Sequence, residues 1–152
     1  MVAVRLPATF DATQLARDAI GEISDLEPHE DLQFAVTLMT SELVSNSVRH
    51  AGLTPDDDVV LLAECPEGAE CPEGTVHVEV SDSGPGFYPL PYARARTGRD
   101  VEHGLALVNA LADRWGFRCA PRFCCVWFEL DLIPGRRAWQ GREPVRFHQP
   151  SN

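Results

Sequence analysis

The sequence predicts an α+β fold in which helices layer on one face of a single sheet. Two observations predict it. Apolar residues recur at helical spacing in one long segment and two shorter ones, and they alternate in several others. The two patterns follow each other in the order β-α-α-β-β-loop-α-β.

The elements follow in chain order. Residues 2–6, VAVRL, alternate as a short strand that Pro7 and Thr9 end. Asp11 or Thr13 caps a helix running through Leu15, Ala16, Ala19, Ile20 and Ile23, and Pro28 then breaks the chain. A longer helix spans about Glu30 to His50. Its stripe of Leu32, Ala35, Val36, Met39, Leu43 and Val44 is the face that must be buried. Gly52 and Pro55 terminate it. Asp56, Asp57 and Asp58 make a solvated acidic turn before the strand VVLLA.

The near-duplicated ECPEGAECPEG that follows is rich in Pro and Gly and reads as an expanded hairpin loop. Thr75 to Ser81 is a strand with Val76, Val78 and Val80 on one side and His77, Glu79 and Ser81 on the other. Residues 87–101 carry Arg94, Arg96 and Arg99 without apolar periodicity, as a mobile loop does. A third helix begins near Glu102–Gly104, with Leu105, Val108, Leu111, Ala112 and Trp115 as its apolar face. The last strand is CCVWFELDL. From Pro134 onward, four arginines stand against Glu143 with little core pattern, so the expected division is a domain over residues 1–133 and an arginine-rich, disordered tail over 134–152.

Composition excludes several functions. The net charge of −10 is the wrong sign for a nucleic-acid binder, which needs a basic face against phosphates. No apolar run approaches the roughly 20 residues that span a bilayer, and the N-terminus lacks the pattern of a secretory signal, so a cytoplasmic protein is expected. The chain has no lysine. A P-loop, a protein kinase of the usual type and Schiff-base chemistry each need one. Phosphate charge would have to be met by Arg, Mg²⁺ or helix N-termini. Five cysteines, an odd number, read as reduced thiols, and the spacing of Cys65 and Cys71 matches no zinc motif.

Three polar clusters carry the chemistry. Glu42, Asn46, Arg49 and His50 share one face of the second helix, opposite the apolar stripe, where an amide oxygen one turn from a carboxylate suits Mg²⁺. Asp82, Gly84 and Gly86 directly follow a strand, where glycine lets backbone approach a ligand and a carboxylate can accept from an exocyclic amine. Glu102, His103, Gly104 and Leu105 open the third helix, whose free N–H groups suit phosphate.

Taken together and in this order, ELVSNSVRHAG, DSGPGF and HGLALV resemble the N, G1 and G2 boxes of the GHKL ATPase/kinase superfamily, and VWFEL resembles its last strand. The resemblance runs from about Val4 to Leu132 and is closest to the small anti-sigma-factor kinases and their actinobacterial relatives. It implies a Bergerat-type α/β sandwich, one mixed or antiparallel sheet covered on one face by helices. It implies ATP and Mg²⁺ as cofactors. Glu42 would be the general base on the attacking hydroxyl, and Asn46 the Mg²⁺ ligand. Asp82 would hold adenine in a pocket shaped by Gly84 and Gly86. Gly104 and Leu105 would open the phosphate-binding helix, and residues 87–103 would form a lid.

The partners implied are a sigma factor, a protein antagonist phosphorylated on serine or threonine, and a second copy of the chain. The alternative is a catalytically silent binding module of the same fold. A sensor histidine kinase would need an upstream phosphoacceptor helix pair, and a chaperone- or gyrase-type ATPase a following transducer domain. Two positions depart from the family pattern. Glu102 stands where the first G2 glycine is usual, which places like charges near phosphates at about 1–4 kcal/mol unless Mg²⁺ or Arg compensates. RFCCVWFEL replaces a stretch that often has glycine and hydroxyl residues.

Overall fold

The chain begins as strand β1 (Val2–Pro7) and continues through α1 (Ala12–Gly21), α2 (Glu30–His50), β2 (Asp58–Glu64), β3 (Thr75–Asp82), α3 (His103–Leu111), β4 (Arg114–Ala120), β5 (Phe123–Asp131) and β6 (Val145–Arg146). This is a computed structural model, and it describes residues 1–23, 26, 30–65, 74–84, 103–132 and 145–146. The strands form one sheet in the order β1-β2-β3-β5-β4-β6. The first five pair antiparallel, and the two-residue β6 lies parallel to β4. The α+β class and the sheet with helices on one face are as the sequence predicts.

Alternation decides which face is buried. Leu6, Val59, Leu61, Ala63, Val76, Val78, Val80, Val126, Phe128 and Leu130 all point to the helix side and form one core with α1, α2 and α3. On α2 the stripe is buried as its spacing requires: Leu32, Val36, Met39, Leu43 and Val44 are inside and Ala35 is partly so. Gly52 follows with a φ of 67°, the left-handed conformation that ends a helix. On α1 the buried face is Ala12, Ala16, Ala19 and Ile20, and Leu15 is exposed. Asp11 holds the N-cap position, but its side chain makes no cap bond. The helix packs against α2, where Arg17 Nε donates to Ser41 Oγ at 3.0 Å.

The opposite face of the sheet is charged. His77 reaches Glu129 through Nδ1 at 3.1 Å and Glu79 through Nε2 at 3.2 Å. Arg114 donates to Glu129 and to Asp131, and Arg118 donates to Glu79. Glu129 thus links β5 to β3 through His77 and to β4 through Arg114, alongside the main-chain ladder.

Two expectations are corrected. The third helix stops at Leu111, and Trp115 belongs to β4, a strand the helical reading absorbed. Trp115, Phe117 and Cys119 alternate with Arg114, Gly116 and Arg118, so the period is two. The thiols are also not all reduced: Cys119 and Cys124, directly opposite in the β4–β5 register, are joined by a disulfide. The turn between those strands places Pro121 first and Arg122 second, and Arg122 has a φ of 61°, the arrangement of a type II turn. Cys125 is a thiol, pushed up to about 12 by burial. Of the arginine-rich tail, only residues 145 and 146 are among those described, and they pair with β4. The duplicated loop joins two strands that do pair as a hairpin, with residues 66–73 themselves outside the described part. No helix among the described residues is long and apolar enough to cross a membrane.

Candidate functional site

The site is built where the end of β3 meets the C-terminal half of α2. Residues 40, 44, 47 and 51 follow one another at intervals of four and three, so they form a single line along α2 and its exit. Thr40, Val44 and Ala51 on that line are buried. Ser47 is its half-buried polar member. Its hydroxyl donates to Asp82 Oδ2 at 2.7 Å. The other carboxylate oxygen, Oδ1, accepts from the Gly84 N–H at 3.0 Å. Asp82 is only 6% exposed, and it points to the helix side between Val59 of β2 and Cys124 of β5.

A buried carboxylate with two partners still has acceptor capacity, since an ionised carboxylate offers about four lone pairs. This acceptor fits an adenine: an amine on the ligand would meet a carboxylate already oriented by Ser47 and by backbone. Gly84 is held tightly for a different reason from the one its type suggests. A Cβ there would collide with the carbonyl oxygen of Ala51 and come 2.8 Å from Ala51 Cβ and 3.0 Å from Asp82 Oδ1. The close approach is to the end of α2, which locks β3 and α2 together at the site.

Glu42 and Asn46 sit one turn apart on α2, half-buried. They flank the apolar stripe rather than stand opposite it. Asn46 comes seven residues after Met39, two turns on and nearly in line with it. Arg49 and His50, on the last turn, are exposed. Asn46 immediately precedes Ser47, so the Asp82 bond also fixes the turn that carries it. An amide oxygen beside a carboxylate is a donor set that suits Mg²⁺, a hard cation that keeps several waters. Among the described residues, no group of three or more His, Cys, Asp or Glu is placed to hold a metal by itself. Gly104 lies in the first turn of α3, which packs alongside α2, and Leu105 is half-buried against the core. Gly86, Glu102 and most of the expected lid, residues 87–102, lie outside the described residues.

The acidic turn is more than solvated. Asp57 Oδ2 accepts from the backbone N–H and hydroxyl of Thr54, each at 2.8 Å, and Oδ1 accepts from Ser83 Oγ at 3.4 Å. Those bonds, the backbone one first, hold its carboxyl below the ordinary range, and Arg122 adds to the effect. Asp57, Ser83 and Arg122 therefore border the same end of the sheet as Asp82. Sequence reasoning missed Ser47, Ala51 and Cys124. Ser47 carried a legible signal, a hydroxyl one turn after Val44 and one turn before Ala51.

A β-α-α-β-β-α-β-β-β order, a helix-facing strand-end aspartate and an asparagine-bearing helix packed on it define an ATPase domain of the histidine-kinase-like class. A sequence profile of that family, Histidine kinase-like ATPase domain, matches residues 6–129, and the chain belongs to it. Among solved structures, it is similar to the RsbU and RsbW domains of Rv1364c from Mycobacterium tuberculosis, at 19% identity and a TM-score of 0.61. That alignment covers 87% of this chain and 33% of the other, so this chain spans about a third of its relative's length. A search of curated protein sequences finds no match.

Proposed function

We propose that this chain is an ATP-binding regulator of the anti-sigma-factor kinase kind, which phosphorylates a serine or threonine of a protein antagonist and sequesters a sigma factor in the cytoplasm. The observation that carries the reading is the buried Asp82 carboxylate, oriented by Ser47 one residue from Asn46. Bound Mg·ATP supplies the phosphoryl group and the cation that neutralises its charge.

Each residue then has a task. Asp82 accepts from the exocyclic amine of adenine, and Gly84 and Gly86 shape the turn beside it. The amide oxygen of Asn46 holds the cation. Glu42, one turn earlier, takes the proton from the attacking hydroxyl. Gly104 and Leu105 open α3 so that its free N–H groups meet phosphate. The arginines of residues 87–103 supply the positive charge that lysine gives elsewhere. Glu102 favours a second reading, a binding module that has kept the fold without turnover, because its charge lies next to the phosphate-binding helix.

A thermal shift with Mg·ATP, Mg·ADP and EDTA separates the outcomes. Nucleotide at a hundred times Kd stabilises by about 2.7 kcal/mol. A magnesium-dependent shift that Asn46→Ala removes is the expected result, and no shift at millimolar nucleotide would overturn the ATP site. Glu42→Ala should abolish phosphate transfer to the antagonist while leaving the shift in place. Transfer at an unchanged rate would remove Glu42 from the role of base.

A further inference from the structure

The disulfide and the candidate adenine carboxylate occupy one row of the sheet. Asp82 of β3 is directly opposite Cys124 of β5, and Cys124 is directly opposite Cys119 of β4. All three point to the helix side. Side chains directly opposite in an antiparallel pair have Cβ atoms about 4.5–5.5 Å apart, so Cys124 is within reach of both neighbours. Cys124 is 2% exposed, whereas Cys119 is half-buried, so a reagent from solvent meets Cys119 first.

We propose that Cys119 and Cys124 are a reversible dithiol–disulfide pair whose state sets nucleotide affinity at Asp82. The coupling rests on the assignment of Asp82 as the carboxylate that receives the adenine amine. The reductant is a dithiol. Its thiolate attacks Cys119 Sγ, breaks the S–S bond and forms a mixed disulfide, while Cys124 leaves as a thiolate and takes a proton. The reagent's second thiolate then displaces Cys119, which is protonated in turn. Two electrons and two protons have passed to the protein, and the reagent departs as its cyclic disulfide.

The direction of the effect follows from hydrogen bonding. Reduction replaces one S–S bond by two separate S–H groups, and the buried one, on Cys124, has Asp82 as its neighbour on the other side. That S–H is a weak donor beside a carboxylate that would otherwise accept from the ligand. The disulfide form leaves that acceptor capacity to the nucleotide and binds tighter.

The full chain is equilibrated with dithiothreitol or with its oxidised cyclic form. Thiol alkylation read by peptide mass reports the state of Cys119 and Cys124, and calorimetry reports the Kd for Mg·ADP in each state. The expected result is complete interconversion, with the disulfide form at least about threefold tighter, a difference well within what such titrations resolve. Cys119→Ser should bind with the reduced form's affinity in both buffers. Equal affinity after full conversion, or tighter binding on reduction, overturns the switch and leaves the nucleotide site standing. A pair that stays unconverted in either buffer overturns the switch directly. Conversion without nucleotide binding in either state overturns the ATP reading, and with it the coupling.

Discussion

Gly84 has little freedom to change. An added methyl group would press on the backbone of Ala51 and on its Cβ, neither of which is a flexible side-chain end. Gly84→Ala should destabilise by about 1–3 kcal/mol, the usual cost of overpacking, seen as a lower urea midpoint. Gly21, at the end of α1, has nothing within 4 Å of an added Cβ. Gly21→Ala should be neutral or stabilising by up to about 1 kcal/mol, because alanine is the better helix former. The contrast tests whether Gly84 is required by contact or by glycine chemistry in general. Thr40 raises the opposite question. Its hydroxyl is buried and has no hydrogen-bond partner among the described residues. Thr40→Val keeps the branched shape and removes the orphaned oxygen, so it should stabilise by about 1 kcal/mol in the same assay.

Among the elements, β3, β4 and β5 are joined by charge as well as by backbone. Glu129, accepting from His77, raises the imidazole above its ordinary 6.5, and Glu79 adds to this. His77 in turn holds Glu129 below its ordinary 4.5, with help from Arg114. Among the described residues, the other charged groups of this cluster are Arg118 on Glu79 and Asp131 on Arg114, and the ring of Trp127 stacks on His77 with centroids 5.8 Å apart. A raised imidazole contributes stability that is complete below about 6.5 in the unfolded chain and is lost as pH rises through the higher folded value. A depressed carboxyl contributes stability that is present above its unfolded value and is lost as pH falls through the lower folded one. The cluster therefore supports the sheet best in mildly acidic solution. The urea midpoint of the native chain should fall between pH 6 and pH 8 relative to that of His77→Gln. A constant difference across that range would show that the imidazole does not titrate between its carboxylates. Strand β4, at the end of this cluster, also shows how an element is misread. Leu105, Val108, Leu111, Ala112 and Trp115 keep helical spacing across the point where the helix ends. No glycine or proline stands between residues 105 and 115 to mark the change of period.

At the scale of the whole molecule, the described residues form one core, made where a single sheet face meets three helices. Phe128, among the largest fully buried side chains, sits on the strand between β3 and β4. Phe128→Ala should cost about 3–5 kcal/mol, a large part of the 5–15 kcal/mol that ordinary domains have. With one core, the loss should lower the far-ultraviolet dichroism and tryptophan fluorescence transitions together; separate transitions would mean that the helices and sheet unfold independently. The fold class was legible in the sequence because periods of 3.6 and 2 report burial directly, and each strand and helix must hide one face. The candidate site was legible as types and order: Glu42 and Asn46 one turn apart, Asp82 ending a strand, Gly104 opening a helix. These are local relations along the chain, set by backbone geometry alone. Only the tertiary structure could show that Ser47 orients Asp82, that Gly84 answers to Ala51, or that Cys119, Cys124 and Asp82 share a row. Those relations join residues 33, 35 and 42 positions apart across strands and helices whose register no local period encodes, and packing alone brings them together.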